Sequence, residues 1–457
     1  MVQDIKDSGL YMGLETKYGK GYYVGKSSED DGNALIMGTN GSGKSYFLAK
    51  SIIETWHDPF VVLDCKGELS YHYMTLLRNG RAKRKYIIFD PMNGGAHYDP
   101  FAILLKDKLH FMQNVREIAY TLIPLTQNDP NSYWINMARD LLSAVIIYGS
   151  SIGLDFINTM IMAVTFSVSE LCQKIMRSNF TMAQMLISEI NNLKKEQKAA
   201  IGTDMKQHLM VFVTDQYVQT TLSSSENTQT FSWDDITAAT EAPNVFLCLD
   251  QDRLEQWGCM TRLMLTQLIR TMERRPDKQK PDGRNTNPIL LLLDEFPLLG
   301  KIDVITNALT TLRSKKVTFC LMIQSIAQLD AIYGHDVRKI IVDNCQYKAF
   351  LKITEPDSQE YFSKLIGTVP TSRKSISKNY NPHMDYITFG GQVQEVRELL
   401  IHPHEFAFNE DIWLHTPYGF CSTLKLPVEK THQHVLDFEK TKRRYRELSE
   451  SPAKKCQ

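Results

Sequence analysis

The opening third of the chain alternates short apolar runs with longer amphipathic stretches. Apolar runs occupy 34–37, 60–63 and 86–89, and a stretch of helical composition, 44–56, follows the first of them. Strands that alternate with helices along a chain form parallel sheets with right-handed crossovers. The pattern therefore predicts the beginning of an α/β domain with a buried parallel sheet at its centre.

The pattern changes between about residues 105 and 230, where apolar positions recur at helical spacing. One helical face carries Trp134, Met137, Ala138, Leu141, Leu142 and Val145. The longest apolar stretch, 141–172, is interrupted by Asp155 and Asn158, whereas a spanning helix needs about 20 consecutive, predominantly apolar residues. We therefore predict an inserted all-helical domain, 106–235, rather than a membrane span.

Alternation of strands and helices resumes in the second half. In chain order the pattern predicts a strand at 244–249, a helix at 254–273, a strand at 289–293, a helix at 302–313, and strands at 317–323 and 347–351. The polar segment 372–391 indicates a flexible loop. The predicted organisation is an α/β domain in two parts, 1–105 and 236–428, which flank the helical insertion, and a charged tail, 429–457.

The overall charge limits how this chain could contact nucleic acid. Lysine plus arginine and aspartate plus glutamate each number 52, so the net charge is +0. Contacts with phosphates must therefore come from local basic patches, or from a ring of subunits that concentrates cations in a pore. None of the 8 cysteines has C-x-x-C spacing, which argues against a zinc site and a disulfide framework and suits a reducing cytoplasm.

One motif carries most of the predicted chemistry. It consists of Gly38, Thr39, Asn40, Gly41, Ser42, Gly43, Lys44 and Ser45, and it satisfies G-x-x-x-x-G-K-[ST] between an apolar strand and a helix. Glycines let the backbone curl so that N–H groups face a phosphate, and the helix adds its positive end. Lys44 can reach the β- and γ-phosphates of ATP, and the Ser45 hydroxyl can ligate Mg²⁺. We therefore predict an ATP site here.

Two carboxylates follow the most apolar predicted strand. Asp294 and Glu295 come directly after Ile289–Leu293, and open α/β sheets bind ligands at the carboxyl ends of their strands. We predict that Asp294 holds Mg²⁺ through water and that Glu295 polarises the attacking water. A weaker candidate is the segment 64–68. One interpretation is that Lys66 and Glu68 contact nucleotide or a neighbouring subunit, and the other is that the segment is an ordinary strand-to-helix turn.

Several stretches together resemble the type IV secretion coupling proteins, also known as TraG-type ATPases. In order along the chain they include GTNGSGKS, VVLDCKGEL, IIFDP, LLLLDEFPLLGKI and LRSKKVTFCLMIQSIAQLDAIYG. The resemblance extends from about residue 34 to 350. It implies a RecA-like P-loop nucleotide-binding domain interrupted by an all-α domain, which agrees with the α/β reading of the pattern.

The resemblance also implies roles for individual residues. It implies a homo-hexameric ring with ATP at the subunit interfaces, in which Gln324 senses the γ-phosphate. Arg313 matches the arginine that such rings insert into a neighbour's site, and Arg338 and Arg262 are alternative candidates for that finger. The catalytic set expected from the sequence is therefore Glu295, Gln324 and Arg313.

The function implied by the resemblance is that of a coupling protein. Such a protein uses ATP and Mg²⁺ to pump DNA, expected to be single-stranded, together with relaxase or effector proteins into the subunits of a secretion channel. Two alternatives stay open: an adaptor whose ATP binding controls assembly, and a double-stranded DNA translocase of the FtsK/HerA kind.

The resemblance carries one expectation about the membrane. Family members usually have two transmembrane helices before the phosphate-loop strand, whereas the residues that precede 34–37 here are mainly polar. We therefore expect the protein in the bacterial cytoplasm, at the inner face of the membrane, with a separate membrane-anchoring subunit.

Overall fold

The computed structural model describes residues 9–15, 20–24, 32–125, 130–223, 228–237, 242–277, 287–381 and 386–430. Its strands are β1 Leu10–Glu15, β2 Gly21–Val24, β3 Ala34–Met37, β4 Phe60–Leu63, β5 Tyr86–Phe89, β6 His97–Tyr98, β7 Thr230–Phe231, β8 Asn244–Leu247, β9 Ile289–Leu293, β10 Val317–Ile323, β11 Tyr347–Phe350, β12 Thr368–Asn381, β13 Tyr386–Leu399, β14 Ile412–Thr416 and β15 Gly419–Leu424.

Its α-helices are α1 Lys50–Thr55, α2 Glu68–Arg78, α3 Ala102–Lys106, α4 Phe111–Leu122, α5 Ser132–Ser151, α6 Phe156–Thr165, α7 Val168–Met176, α8 Thr181–Asn192, α9 Lys195–Thr214, α10 Gln216–Leu222, α11 Asp234–Thr237, α12 Leu254–Glu273, α13 Ile305–Thr311, α14 Ile326–Tyr333, α15 His335–Asp343 and α16 Pro356–Ile366. A π-helical segment, Lys44–Ala49, leads directly into α1.

A large mixed sheet forms the centre of the fold. Its order is β2-β1-β15-β14-β11-β3-β10-β9-β4-β8-β5, and every pair from β11 to β5 is parallel. Strands β3, β4, β8, β9, β10 and β11 are buried along their whole length. Continuous burial explains why these strands read as mostly apolar runs instead of alternating patterns, with Asn244, Thr318 and Lys348 as buried polar exceptions. The parallel strands predicted from the sequence are thus present, with ends that differ by a few residues at most.

Four antiparallel strands extend one edge of the sheet, which the sequence analysis did not foresee. Leu10, Tyr11, Met12 and Leu14 on β1 are buried, so part of the segment regarded as polar belongs to the core. Gly13 has φ +100°, and a Cβ there would lie 2.5 Å from Thr423 Oγ1 on β15. The close approach of β1 and β15 therefore requires glycine at this position.

A helical layer occupies the interval between β6 and β7. Helices α3 to α10 follow one another there, and the short parallel pair β6–β7 brings the two ends of the layer together. Helix α5 packs on α4, α8 and α9, and α12 packs on α4, which joins the layer to the sheet domain. Within the described ranges, no helix is both long and apolar enough to cross a membrane.

The prediction of a flexible loop at 372–391 is wrong. Strands β12 and β13 form an antiparallel ribbon whose register runs from Thr368↔Leu399 to Asn381↔Tyr386. Among the described strands, β12 and β13 pair with each other in a sheet of their own. None of the side chains at 368–374 and 393–399 is buried, so no buried face there imposes the alternation of apolar residues that identifies a strand. Residues 382–385 of the predicted loop lie outside the described part of the chain. The part of the predicted charged tail after residue 430 lies outside the described residues.

Candidate active site

The phosphate loop connects β3, in the middle of the sheet, to the helix that begins at Lys44. Gly41 and Gly43 have φ values of +74° and +92°, in the left-handed region that favours glycine. The Gly38 N–H donates to Ile323 O at 3.2 Å, and the Thr39 N–H donates to Lys352 O at 2.9 Å. The two neighbours of β3 are β10 and β11, and the residues at their ends therefore fix the loop from both sides.

Lys44 lies inside the curve of this loop and is 5% exposed. Its Nζ donates to Gly38 O and, at 3.4 Å, to Thr39 O. Burial lowers the pKa of Lys44, and the nearby charges of Glu295 and Asp294 oppose that shift. The ammonium is thus held by backbone carbonyls at the position where the motif predicts contact with phosphates.

Asp294 and Glu295 are at the carboxyl end of β9, two strands from β3, and both are buried. The Ser45 hydroxyl donates to Asp294 Oδ2 at 3.2 Å, which joins the end of the phosphate loop to this strand. Burial, and next the charge of Glu295, raise the pKa of Asp294 to about 6. The two predicted metal ligands, Ser45 and Asp294, are therefore in direct contact.

The residues at this point fit a magnesium ion. The other carboxylate oxygen of Asp294, Oδ1, is buried and has no hydrogen-bond partner among the described residues. Buried polar atoms without partners are rare, so each one calls for an explanation such as a bound ion. The described residues contain no cluster of three or more His, Cys, Asp or Glu that could enclose a metal. Mg²⁺ suits such a site because it usually takes one or two carboxylates and completes its shell with water and phosphate oxygens.

Glu295 has a strained backbone and a defined side-chain partner. Its φ is 56°, in the left-handed region that non-glycine residues rarely adopt. Gln324, directly after β10, donates from Nε2 to Glu295 Oε2 at 2.8 Å. The predicted water-polarising carboxylate and the predicted γ-phosphate sensor thus touch each other at the same edge of the sheet.

Arg313 lies at the other edge. It is exposed, in a 3₁₀ turn, Leu312–Lys315, that precedes β10. Strand β10 has 7 residues, which at about 3.3 Å each separate its two ends by roughly 20 Å. Arg313 therefore does not join Lys44 and Glu295 within a single chain.

The two alternative arginines have surroundings of their own. Arg338 is 3% exposed, donates from Nε to Asp330 Oδ1 at 3.0 Å, and lies over the Tyr361 ring. Arg262 is on α12, and its half-buried side chain lines a cleft beside the helical layer. Among the described hydrogen bonds and ion pairs, none joins either arginine to the phosphate loop.

The segment after β4 combines a structural residue with a cation. Asp64 Oδ2 accepts the N–H groups of Leu69 and Ser70 at 3.1 and 2.8 Å, and so caps the start of α2. The charge of Lys66 acts on both Asp294 and Lys44. Lys66 is a candidate functional residue that the sequence analysis left undecided, and the signal for it was the LDCKGEL stretch.

Comparison with protein families gives one match that spans most of the chain. The model described as "Type IV secretory system Conjugative DNA transfer" matches residues 5–408. The chain is 22% identical over 392 residues to the conjugal transfer protein TraG of Escherichia coli, covering 81% of this chain and 60% of TraG. It is 27% identical over 167 residues to protein VirD4 of Agrobacterium fabrum, covering 36% of this chain and 24% of VirD4.

Solved structures with the same fold include the bacterial conjugative coupling protein TrwBdeltaN70. That structure matches with a TM-score of 0.65 at 19% identity, covering 87% of this chain and 84% of TrwBdeltaN70. TrwB in complex with the non-hydrolysable ATP analogue ADPNP also has a TM-score of 0.65, at 17% identity, covering 86% of this chain and 84% of that one. The match supports the predicted α/β fold, a RecA-like P-loop domain combined with a helical layer.

Proposed function

The chain belongs to the type IV secretory system conjugative DNA transfer family, and from this membership we propose that it is a coupling protein that hydrolyses ATP. The observation that carries the proposal is the contact of Ser45 with Asp294, beside Lys44 and Glu295, at the carboxyl edge of the sheet. The chain spans 60% and 64% of the length of two TraG relatives. The activity, substrates and partners of the whole protein are therefore parts of the proposal.

Each residue of the site has a defined task in ATP hydrolysis. Backbone N–H groups of Gly38–Ser45 cradle the phosphates, and Lys44 stabilises the negative charge on the β- and γ-phosphates. Ser45 and Asp294 would hold Mg²⁺, which supplies charge neutralisation on the phosphate oxygens when bound. Glu295 orients and polarises the attacking water, and Gln324 holds Glu295 while it faces the γ-phosphate.

We propose a homo-hexamer in which Arg313 acts on the site of a neighbouring subunit. The support is geometric, because Arg313 lies at the opposite edge of the sheet from Lys44 and cannot contribute in its own chain. An arginine that spreads the charge of the transferring phosphoryl group can increase the rate by about 10³-fold or more. The proposed nucleotide-binding domain comprises 1–105 and 236–428, and the proposed helical insertion is 106–235.

The proposed substrate is DNA, single-stranded, that travels with relaxase or effector proteins into the secretion channel. TraG is named a conjugal transfer protein, and TrwB is described as a plasmid coupling protein. We propose that the protein works at the inner face of the bacterial membrane, where channel subunits are its partners.

The test is an ATPase assay without DNA, with single-stranded DNA and with double-stranded DNA. We expect Mg²⁺-dependent turnover that single-stranded DNA increases, and we expect Glu295→Gln to lose turnover in every condition. Nucleotide binding without turnover would overturn the proposal in favour of an adaptor. Stimulation by double-stranded DNA alone would favour a double-stranded DNA translocase.

A further inference from the structure

A cleft of about 520 Å³ lies where the helical layer meets the sheet domain. One wall is α4 and the other is α12, and the segment Lys301–Val304 closes the end. None of the phosphate-loop residues Gly38–Ser45 lines it. We refer to this feature as the arginine cleft. Its volume falls within the range of ~300–1,000 Å³ that is typical of small-molecule sites.

Cations outnumber carboxylates on the walls of the arginine cleft. The charged lining residues are Arg116, Arg139, Arg262, Arg270 and Lys301, with Glu117 and Asp303 as the only acids among them. This surplus of positive charge is local, because the whole chain has a net charge of +0. A basic cleft with low-dielectric walls concentrates field lines and attracts anions.

Part of this positive charge is already neutralised within the chain. Arg270 donates to Glu117 and also to Glu273, the latter at 2.7 Å. Lys301 forms an ion pair with Asp303 at 3.3 Å. These pairs leave three guanidinium groups, those of Arg116, Arg139 and Arg262, for which no ion pair with a carboxylate is among the salt bridges described.

Arg139 is held in place without a counter-ion in direct contact. The residue is 9% exposed, and its Nε donates to Ile123 O at 2.8 Å. Its Nη1 donates to Asn136 Oδ1 at 3.2 Å, and the guanidinium lies 4.5 Å from the centre of the Tyr120 ring. Neutral partners orient the group, and the carboxylates of Asp303 and Asp140 act on its charge without a described ion pair to it. The burial of this charge is therefore only partly compensated.

Arg262 supplies the second sign of an absent partner. Its Nε is buried and has no hydrogen-bond partner within the described part of the chain. A buried N–H donor without a partner is unfavourable and calls for an explanation such as a bound acceptor. A phosphate group in the cleft could accept bonds from Arg262, because guanidinium groups bind phosphate oxygens through paired, charge-assisted hydrogen bonds.

The cleft is connected to the catalytic edge by a short chain of contacts. The Lys301–Val304 wall follows the 3₁₀ turn Phe296–Leu299, which begins directly after Glu295. The Ile302 N–H donates to the Tyr333 hydroxyl at 3.2 Å, and that hydroxyl donates to Gly300 O at 3.3 Å. Tyr333 also stacks on Phe296, with ring centroids 5.9 Å apart. A ligand on this wall would therefore touch a segment packed next to the water-polarising carboxylate.

We propose that the arginine cleft is a second anion site, which binds a phosphate group through Arg116, Arg139 and Arg262, separately from the phosphate loop. The shared chemistry is the phosphate. The phosphate belongs either to a free phosphate or nucleotide, or to the backbone of single-stranded DNA. The second possibility rests on the proposed DNA-transfer function.

The test measures binding without hydrolysis in the full chain. A fluorescent single-stranded oligonucleotide is titrated by anisotropy over a range of salt concentrations, in competition with pyrophosphate and with ADP. The test variant is Arg116→Gln combined with Arg262→Gln. The matched control is Arg177→Gln, an exposed arginine at the end of α7 that does not line the cleft.

We expect the double variant to bind the oligonucleotide, or the free anion that competes with it, about tenfold or more weakly than the wild type does. Arg177→Gln should bind both as the wild type does. If single-stranded DNA is the ligand, the slope of the logarithm of its affinity against the logarithm of salt concentration should be smaller in the double variant, by the amount that about two phosphate contacts contribute. If the substitutions weaken the binding of pyrophosphate or ADP but not that of the oligonucleotide, the ligand of the cleft is the free anion. The phosphate loop provides an internal check, since the part of the binding of a fluorescent ATP analogue that Lys44→Ala abolishes should be the same in the double variant and in the wild type.

Equal losses in the double variant and in Arg177→Gln, or no loss in either, would overturn the arginine cleft as an anion site. A wild type that binds neither strand nor free phosphate outside the phosphate loop would overturn it as well. The ATPase assay separates these results from the proposed function, because Mg²⁺-dependent turnover abolished by Glu295→Gln would stand in either case.

Discussion

The two edges of the parallel sheet differ in what they hold. At the carboxyl edge, the ends of β3, β9 and β10 bring Lys44 close to two hydrogen-bonded pairs, Ser45 with Asp294 and Gln324 with Glu295. At the amino edge, the turn before β10 carries Arg313 on an exposed surface. The same strand thus links a residue of the site to a cation roughly 20 Å away, at about 3.3 Å per residue.

This difference indicates which steps a single chain can carry out and which steps need two neighbouring subunits. The carboxyl edge has the groups that we propose to bind nucleotide, metal and water, and all of them come from a single chain. The amino edge has the cation that could stabilise charge during phosphoryl transfer, but it faces away from its own site. One subunit should therefore bind ATP, whereas efficient hydrolysis should need a neighbour.

The largest expected effect at the carboxyl edge comes from Glu295→Gln. The substitution keeps the shape of the side chain but removes the charge that polarises water, so turnover should fall by about 10²–10⁴-fold. ATP binding, measured by fluorescence with a nucleotide analogue, should persist. The paired variant Asp294→Asn should weaken Mg²⁺ binding instead, and the opposite pattern would mean that the two acids have exchanged roles.

Lys44→Ala should lower turnover by about 10²-fold or more, because it removes the ammonium that stabilises the phosphate charges. The fold should be intact by circular dichroism. Lys50→Ala is the matched control, since Lys50 lies six residues further along the same helix and pairs with Glu68 at 3.3 Å. Wild-type turnover in a folded Lys44→Ala protein would refute the site at this edge.

Gln324→Ala should have a smaller effect, about tenfold on turnover, because the backbone that positions Glu295 stays in place while one hydrogen bond to it is lost. Steady-state kinetics should show the loss mainly in kcat. Gln328→Ala removes only the acceptor of the Gln324 backbone N–H and should retain most activity. An equal loss in the two variants would assign Gln324 to structure alone.

Asp64→Ala should mainly affect stability, although Asp64 lies at the same edge as the catalytic acids. Removal of the cap on α2 should lower the free energy of unfolding by about 1–2 kcal/mol. Chemical denaturation checks the stability, and KM for ATP should stay as in the wild type. A large rise in KM with unchanged stability would make Asp64 part of the nucleotide site.

The sequence predicted those parts of the site that are local in the chain. Gly38–Ser45 form one loop, and Asp294 and Glu295 follow one buried strand, so composition and order were enough to assign their roles. The contacts between them were not available from order alone. The Ser45–Asp294 bond joins residues 249 positions apart, and only the strand order places β9 two strands from β3.

The fold was predicted where burial leaves a signal. The parallel strands are mostly apolar and were recognised, whereas β12 and β13 pair with each other in a separate sheet of the described residues, and no alternation marked them. Strand β1 was missed for a different reason: it lies between β2 and β15, and β15 is about 400 positions later, so the burial of Leu10–Leu14 was not evident from the local sequence. The arginine cleft was not predicted for the same reason, because its walls, α4, α12 and the Lys301–Val304 segment, are far apart in the sequence.

The most direct test of a site shared between subunits is a mixing experiment with Arg313→Ala and Lys44→Ala. Each variant should be inactive alone, so the assay, run with single-stranded DNA to favour assembly, measures only activity that mixed rings restore. At a one-to-one ratio, about a quarter of the interfaces in a randomly mixed ring pair an intact phosphate loop with a neighbour's intact arginine. The account predicts partial recovery of turnover that rises with protein concentration. No recovery, under conditions where mass spectrometry detects mixed rings, would contradict a finger at Arg313 and turn attention to Arg338 and Arg262.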